Sequence, residues 1–395
     1  MPGRHWSWPV CGGYSANRGL RQLAAWPNHP RAGRDRAMTK SNPKDDPFLR
    51  DLWYFGIVGS EIKPGQMIQK ERLGELVLFG RTHDGQAFAM TDICPHRAIL
   101  LSGGEMVKTE SGTQVQCPYH GWRFRPDGQC ANIPSLTADQ TEGMDISKIK
   151  ARTYPVHESY GVIWIWFGYD TEAEPCLDPP RLDIPADSRI RMHDECDFNC
   201  DMDAAVISLM DPAHIPYIHN QSWWRTPKTM HEKQKTFGPI DRGFSMLPHK
   251  PSSNSFIYKL FGTDITTEIR LELPGLRPEY MKAGDRHVTT VTIVTPVNET
   301  KTIISVILYW NHPAVNFVPK WLIRRAMHIF MAQDSAAVDS QAIGMSYDPP
   351  QMFIHDSDIP AKWYLALRRN WQKHRKEGAD FVNPVKKPTT LRWRS

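Results

Sequence analysis

Apolar residues fall along this chain in short runs closed by glycine, proline or a charged turn, which is the pattern of strands and not of long helices. Residues 77–79 and 87–90 flank 80–85, where His83-Asp84-Gly85 supplies a turn, and this predicts a hairpin. Residues 115–117 follow the Ser102-Gly103-Gly104 loop, and Trp122-Arg123-Phe124 precedes a turn at Pro126-Asp127-Gly128. The stretch from 51 to about 135 therefore reads as mostly β, residues 137–145 as a loop, and 162–167 as a strand closing the unit. The proline-rich run 175–185 marks a boundary. Beyond it, strands predicted at 256–261, 266–273, 287–295 and 302–310 succeed one another without helices, favouring an antiparallel sheet over βαβ units. Helices are expected at 321–341, with an apolar stripe of Ile323, Met327, Phe330, Met331, Ala336 and Val338, and at 362–378, which is strongly basic. No internal repeat is visible. The fold class is α+β: a small mostly-β domain joined to a larger domain with an antiparallel sheet flanked by helices.

At 395 residues the chain is long enough for two cores, one for a cofactor and one for a substrate. Its longest apolar stretches are far shorter than the roughly 20 residues that cross a bilayer, so no transmembrane span is expected. The formal charge of +5 is unevenly placed. Residues 1–38 carry six arginines against Asp35, residues 362–395 carry ten Lys or Arg against Glu377 and Asp380, and the body between is acidic. Basic charge at the two ends with no reader motif argues against nucleic-acid binding. Residues 1–40 are expected to form a basic disordered leader, or translated sequence ahead of a start near Met38. The protein is then cytoplasmic, or organellar if that leader is a targeting peptide. Seven cysteines, an odd number, without an apolar secretion segment argue against a disulfide scaffold and leave thiols free for metal.

Two constellations carry chemistry. Cys94-Pro95-His96 is followed by Cys117-Pro118-Tyr119-His120-Gly121-Trp122, so two Cys-then-His pairs each bring a thiolate and an imidazole to a loop between short strands. Four ligands of two kinds suit tetrahedral zinc or an iron–sulfur cluster with one His-ligated iron, and ligand count alone does not choose. Cys130, Cys176, Cys196 and Cys200 fit no metal spacing and read as core thiols. Further on, Asp211, His214 and His219 fall within nine residues. On an unbroken helix His219 would be turned about 140° from His214, but Pro216 favours a bend that brings both rings toward one metal.

Both patterns resemble the Rieske non-heme iron aromatic ring-hydroxylating oxygenases, in their terminal oxygenase component. The first matches C-x-H…C-x2-H, and the second D-x2-H-x4-H, over roughly residues 50–345. The resemblance implies a Rieske [2Fe-2S] domain at 45–170, in which Cys94 and Cys117 bind one iron and His96 and His120 the other. It implies a mononuclear-iron catalytic domain at 186–395, ending in the basic helix and tail. There His214 and His219 are two limbs of a 2-His-1-carboxylate triad. Asp334, in the segment Gln333-Asp334-Ser335, is the expected third limb, with Asp339 the lesser choice. Asp211 is expected between sites, taking a bond from His214 and from His120 of a neighbouring subunit in a ring of three chains. The chain departs from the family at 206–210, where Val206-Ile207-Ser208-Leu209-Met210 stands in place of a polar pair.

The resemblance further implies one [2Fe-2S] cluster and one mononuclear Fe(II) per chain, with NAD(P)H acting only through a separate reductase. A ferredoxin and/or flavin reductase, dioxygen and a small organic substrate are the implied partners. Gly128 to Pro134, together with Asp211-Pro212-Ala213-His214, is similar to the branch of pheophorbide and related monooxygenases. That favours hydroxylation or oxidative demethylation of a small aromatic or heterocyclic substrate. A ring cis-dihydroxylating dioxygenase and a non-catalytic Rieske electron carrier are the alternatives. Phe256, Tyr258, Leu260, Val291, Ile293, Ile304, Val306 and Leu308 are candidates for the pocket or its supporting core. Arg368, Arg369, Lys373, Arg375 and Lys376 offer a face for an acidic carrier, against the plain reading of a solvated helix.

Overall fold

The structure is a computed structural model that describes residues 46–220, 226–251 and 264–395. The expected leader at 1–40 and the strand at 256–261, with pocket candidates Phe256, Tyr258 and Leu260, lie outside the described residues. Among the described residues no helix is long and apolar enough to cross a membrane.

Two unbroken apolar runs form the seam of the molecule. Leu52–Val58 and Val162–Phe167 are buried at every position and pair antiparallel, Leu52 opposite Phe167 and Val58 opposite Val162. A strand that is apolar on both faces needs cover on both. Here Trp53, Phe55, Trp164 and Trp166 pack with Leu276, Val291, Ile293, Ile307 and Tyr309 of the larger sheet. The alternate residues Tyr54, Ile57, Ile163 and Ile165 join Val77, Phe79 and Ala89 in the main core.

Two four-stranded antiparallel sheets complete the N-terminal part. One orders Gln66–Arg72, Glu75–Arg81, Ala87–Thr91 and Thr153–Tyr154, and includes the predicted hairpin. The other orders Glu105–Thr109, Gly112–Gln116, Arg123–Phe124 and Cys130–Asn132. Leu78, Phe88, Met90, Leu101, Val115, Phe124 and Ile133 form a separate core that also contains Cys94 and Cys117. The segment expected to be a loop at 137–145 contains a helix, Ala138–Gly143. Its cause is a capping box: the Thr137 side chain takes the backbone N–H three residues on, while Gln140 reaches back to the Thr137 N–H.

The larger part is an eight-stranded antiparallel sheet in the order Met192–Phe198, Lys301–Trp310, Arg286–Asn298, Leu276–Ala283, Thr266–Glu272, Gly243–His249, Glu232–Ile240, Thr389–Arg394. Helix α1, Met202–Met210, starts on an Asp201 side-chain cap and ends at Asp211. A single short turn, α2, Ile215–Ile218, follows. Helix α3, Lys320–Met345, is longer than expected at both ends but covers the predicted stretch. Helix α4, Ile359–Glu377, stops where Gly378 adopts φ 67°, a left-handed cap that glycine takes without strain.

Helix α4 is bound inward more than its charge suggests. Arg368 lies 3.1 Å from Asp203 of α1, and Arg375 lies 2.7 Å from Asp51. Those two arginines hold the fold together, so the carrier-docking face read from the sequence shrinks to its exposed members, among them Arg369 and Lys373. The described pocket candidates resolve as core: Val291, Ile293, Ile304 and Val306 are buried and Leu308 packs against them at the edge.

Candidate metal centres

The first centre is set by two loops of the same design. Cys94 donates its N–H to the Ile99 carbonyl (2.9 Å) while Ala98 N–H returns to the Cys94 carbonyl (2.9 Å). Cys117 donates to Trp122 (2.8 Å) while Gly121 N–H returns to Cys117 (3.1 Å). Each loop closes through a residue in the left-handed region four positions after its cysteine, Ala98 at φ 55° and Gly121 at φ 71°. These closures give the two loops the same backbone hydrogen-bond pattern around their cysteines. Both cysteines are buried and free of disulfides. Burial pushes the Cys94 thiol up to about 11, helped by the neighbouring Cys117 sulfur, while the backbone N–H groups of His96 and Arg97 directed at it pull the other way. A metal removes that penalty by taking the proton's place.

The histidines sit on the outer side. The His96 and His120 rings are 4.8 Å apart, and Trp122 stacks flat on His96 at 4.3 Å with a 7° tilt. His120, Tyr119 and Ile99 are exposed. Thiols inward and imidazoles outward is an asymmetric donor set, suited to a cluster whose histidine-bound iron faces solvent.

At the second centre Pro216 does not bend the chain: it sits at the start of a regular helical turn, where proline is tolerated, and the turn ends at His219 (φ −94°, ψ 41°). His214 precedes α2 and His219 terminates it, which points both Nε2 atoms at one spot 3.3 Å apart. Asp334, from the middle of α3, brings its Oδ1 to 3.1 Å from His219 Nε2 and 3.6 Å from His214 Nε2. The three ligating atoms all lie within 4.8 Å of one another. Asp334 Oδ1 is buried without a hydrogen bond, although two ring nitrogens surround it. Three ligand-type atoms that converge on one spot are the donor set of a metal ion, and two nitrogens with one oxygen fit ferrous iron. Burial lowers the His214 pKa against the opposing pull of Asp334 and Asp211, which keeps the ring in the neutral form that binds metal.

Comparison with known proteins agrees with both centres. Residues 52–155 match the Rieske [2Fe-2S] domain model, and residues 198–373 match the vanillate O-demethylase oxygenase C-terminal domain model. The chain therefore carries a Rieske [2Fe-2S] domain followed by a domain of the vanillate O-demethylase oxygenase C-terminal type. It is 33% identical over 183 residues to the oxygenase component of chloroacetanilide N-alkylformylase from Rhizorhabdus wittichii, covering 44% of this chain and 48% of that protein. It is 29% identical over 213 residues to chlorophyllide a oxygenase of Arabidopsis thaliana, covering 51% of this chain and 37% of that protein. The chain thus aligns with about half or less of these relatives' lengths. Crystal structures of dicamba monooxygenase bound to 3,6-dichlorosalicylic acid and of Pseudomonas putida CBB5 NdmA QL mutant with caffeine share its fold. Their TM-scores are 0.67 and 0.67, at 22% and 19% identity, with 84% and 86% of this chain covered and 99% and 96% of theirs.

The Rieske [2Fe-2S] domain match and the triad His214, His219 and Asp334 are consistent with one [2Fe-2S] cluster and one mononuclear Fe(II) site per chain. The remaining candidates separate cleanly. Asp339 turns away from the triad and accepts from the Asn199 backbone N–H (3.1 Å) and side-chain amide (3.4 Å). Cys196 and Cys200 are buried core thiols, and Cys200 is pushed up to about 12 by burial and by Asp201 and Asp339. Asp211 accepts the Ala213 N–H at 2.7 Å, with its other oxygen 3.8 Å from His214 Nδ1. Gln333 has a partner that sequence reasoning did not assign: its Oε1 lies 3.0 Å from His219 Nδ1. The only signal for it in the sequence is its place next to Asp334.

Proposed function

We propose that this chain is the terminal oxygenase of a multicomponent system that hydroxylates or oxidatively demethylates a small aromatic or heterocyclic substrate. The observation that carries the reading is the convergence of His214 Nε2, His219 Nε2 and Asp334 Oδ1 in a protein that also has a Rieske domain. A simple electron carrier has no use for such a triad. Matching to an O-demethylase C-terminal domain, and to relatives named as an N-alkylformylase and an O-demethylase, supports demethylation.

In this reading Cys94, His96, Cys117 and His120 hold the cluster, with residues 45–170 as its domain and 186–395 as the catalytic one. His120 is exposed, so a cluster held by these four residues would present its histidine side to redox partners. His214, His219 and Asp334 would hold a mononuclear iron, a three-ligand donor set of the kind that leaves room for dioxygen. Ferrous iron held there supplies dioxygen activation, with electrons drawn from the cluster. The chain's own residues hold the His214 imidazole in its neutral form by burial and shield His219 and Asp334 from water. Asp211 is a positioning residue facing His214 Nδ1, with its carboxylate open enough to take a second bond from His120 of a neighbouring chain in a trimer. NAD(P)H acts through a separate flavin reductase and/or ferredoxin. Cytoplasm is the expected compartment; the chloroplast names among the relatives point to an organelle if residues 1–40 are an address.

Metal analysis combined with turnover tests the reading. About three irons and about two acid-labile sulfides per chain are expected. With a surrogate reductase, a panel of methoxylated and N-methylated aromatics should give a demethylated product and formaldehyde, with oxygen from dioxygen. A preparation that binds only about two irons under ferrous loading, or zinc at either centre, overturns it.

A further inference from the structure

One turn of helix α3 grips the His219 ring at three points. Phe330, Gln333 and Asp334 are spaced i, i+3, i+4, so they share one helix face. Phe330 meets the ring edge-to-face at 4.7 Å with a 64° angle. Gln333 Oε1 sits 3.0 Å from Nδ1, and Asp334 Oδ1 sits 3.1 Å from Nε2. The ring is buried, so it has few other orientations open to it.

We propose that Gln333 is a positioning residue that sets the tautomer of His219, an inference that rests on the oxygenase reading above. An amide carbonyl can only accept, so its approach to Nδ1 requires the proton there and leaves the Nε2 lone pair for iron. If instead the amide nitrogen faced the ring, Nε2 would carry the proton and the metal edge would be blocked. The two iron histidines are therefore served unequally. His214 Nδ1 looks toward the Asp211 carboxylate at 3.8 Å, where no hydrogen bond forms. His219 Nδ1 has a neutral acceptor within hydrogen-bond distance. Gln333 fixes one ligand before assembly or reduction, and Asp211 leaves the other adjustable. Helix α3 consequently contributes both a direct donor and the orientation of a second.

The test uses whole protein with its cluster intact, stripped of mononuclear metal and titrated anaerobically with ferrous iron against a chromophoric chelator. Gln333→Leu removes the acceptor at similar volume, and its Fe(II) affinity should fall about 10- to 100-fold. Gln333→Glu restores an acceptor and should bind at least as tightly as wild type. The visible spectrum of the cluster and the melting temperature report that each variant is folded. Equal affinity of Gln333→Leu and wild type overturns the inference, and so does equal weakening of the Leu and Glu variants, which marks a packing role. Failure of wild type itself to bind Fe(II) removes the oxygenase reading first, and this inference with it.

Discussion

At the scale of single residues, the two cluster loops differ at the position that closes each of them. Ala98 and Gly121 hold the same left-handed position, but only glycine does so without strain, and the non-glycine cost is on the order of 1–2 kcal/mol. Ala98→Gly should therefore be neutral to stabilising by about 1 kcal/mol, offset in part by the extra freedom of the unfolded chain. Gly121→Ala should lose a similar amount, because a Cβ there also meets Pro134 Cγ at 3.2 Å. Chemical denaturation followed at the cluster's visible absorption checks both; a stabilised Gly121→Ala refutes the argument. The aspartates of helix α3 make a second contrast. Asp334→Ala should abolish mononuclear iron and leave the cluster's spectrum unchanged. Asp339→Ala should keep iron and lose roughly 1 kcal/mol with the two Asn199 bonds. Iron counted in both variants decides whether helical position was read correctly.

At the scale of elements, the strand Met192–Phe198 edges the large sheet and faces two ways. Asp194 meets His328 of helix α3 at 2.8 Å. Glu195, one residue on, accepts from Ser305 (3.1 Å) and lies 3.4 Å from His193, near the fully buried Arg72 of strand Gln66–Arg72. Burial alone would raise the Glu195 pKa, but His193 and Arg72 outweigh it and hold the carboxyl at about 2. A depressed carboxylate contributes stability that is complete above its unfolded value and is lost as pH falls toward the folded one. Between pH 5 and 3 the protein should accordingly lose stability more steeply than Glu195→Gln, with a full contribution on the order of 3 kcal/mol. Urea midpoints at pH 6, 5, 4 and 3 measure it, and parallel slopes for the two proteins would count against it. This strand also shows what sequence alone could not reveal. Its residues read Met-His-Asp-Glu-Cys-Asp-Phe, polar at the centre, so no apolar run announced it. Strands 162–167 and 302–310 were legible because their apolar runs satisfy cover on both faces. The candidate metal ligands could be named from the sequence because each motif is local, whereas the Asp334 limb needed a family resemblance to join it across more than a hundred residues. Gln333 stayed hidden for the same reason: its partner is His219, far away in sequence and fixed only by packing.

At the scale of the whole molecule, the C-terminal helix acts first as a fastener. Trp371 Nε1 bonds the Arg50 carbonyl at 2.9 Å and Arg375 reaches Asp51 at 2.7 Å, tying the end of the chain to the entrance of the strand Leu52–Val58. Arg368 likewise fixes α4 to Asp203, at the start of the helix that leads to Asp211. Charge reversal at those arginines would report on folding and not on docking. Arg369 and Lys373 are the informative pair: both are exposed, one helical turn apart, and Lys373 has, among the described residues, a surface partner in Glu377 at 3.8 Å. An acidic electron carrier attracted by this face would be steered over a range set by salt screening, near 10 Å at ~0.1 M ionic strength. The double variant Arg369→Glu, Lys373→Glu should therefore raise the carrier concentration needed for half-maximal turnover several-fold at low salt, and much less at high salt. Its iron content, sulfide content and melting temperature should match wild type, since neither side chain holds the core. If carrier kinetics stay unchanged at low ionic strength, this face takes no part in electron delivery, and the basic end of the chain serves only to pin the fold.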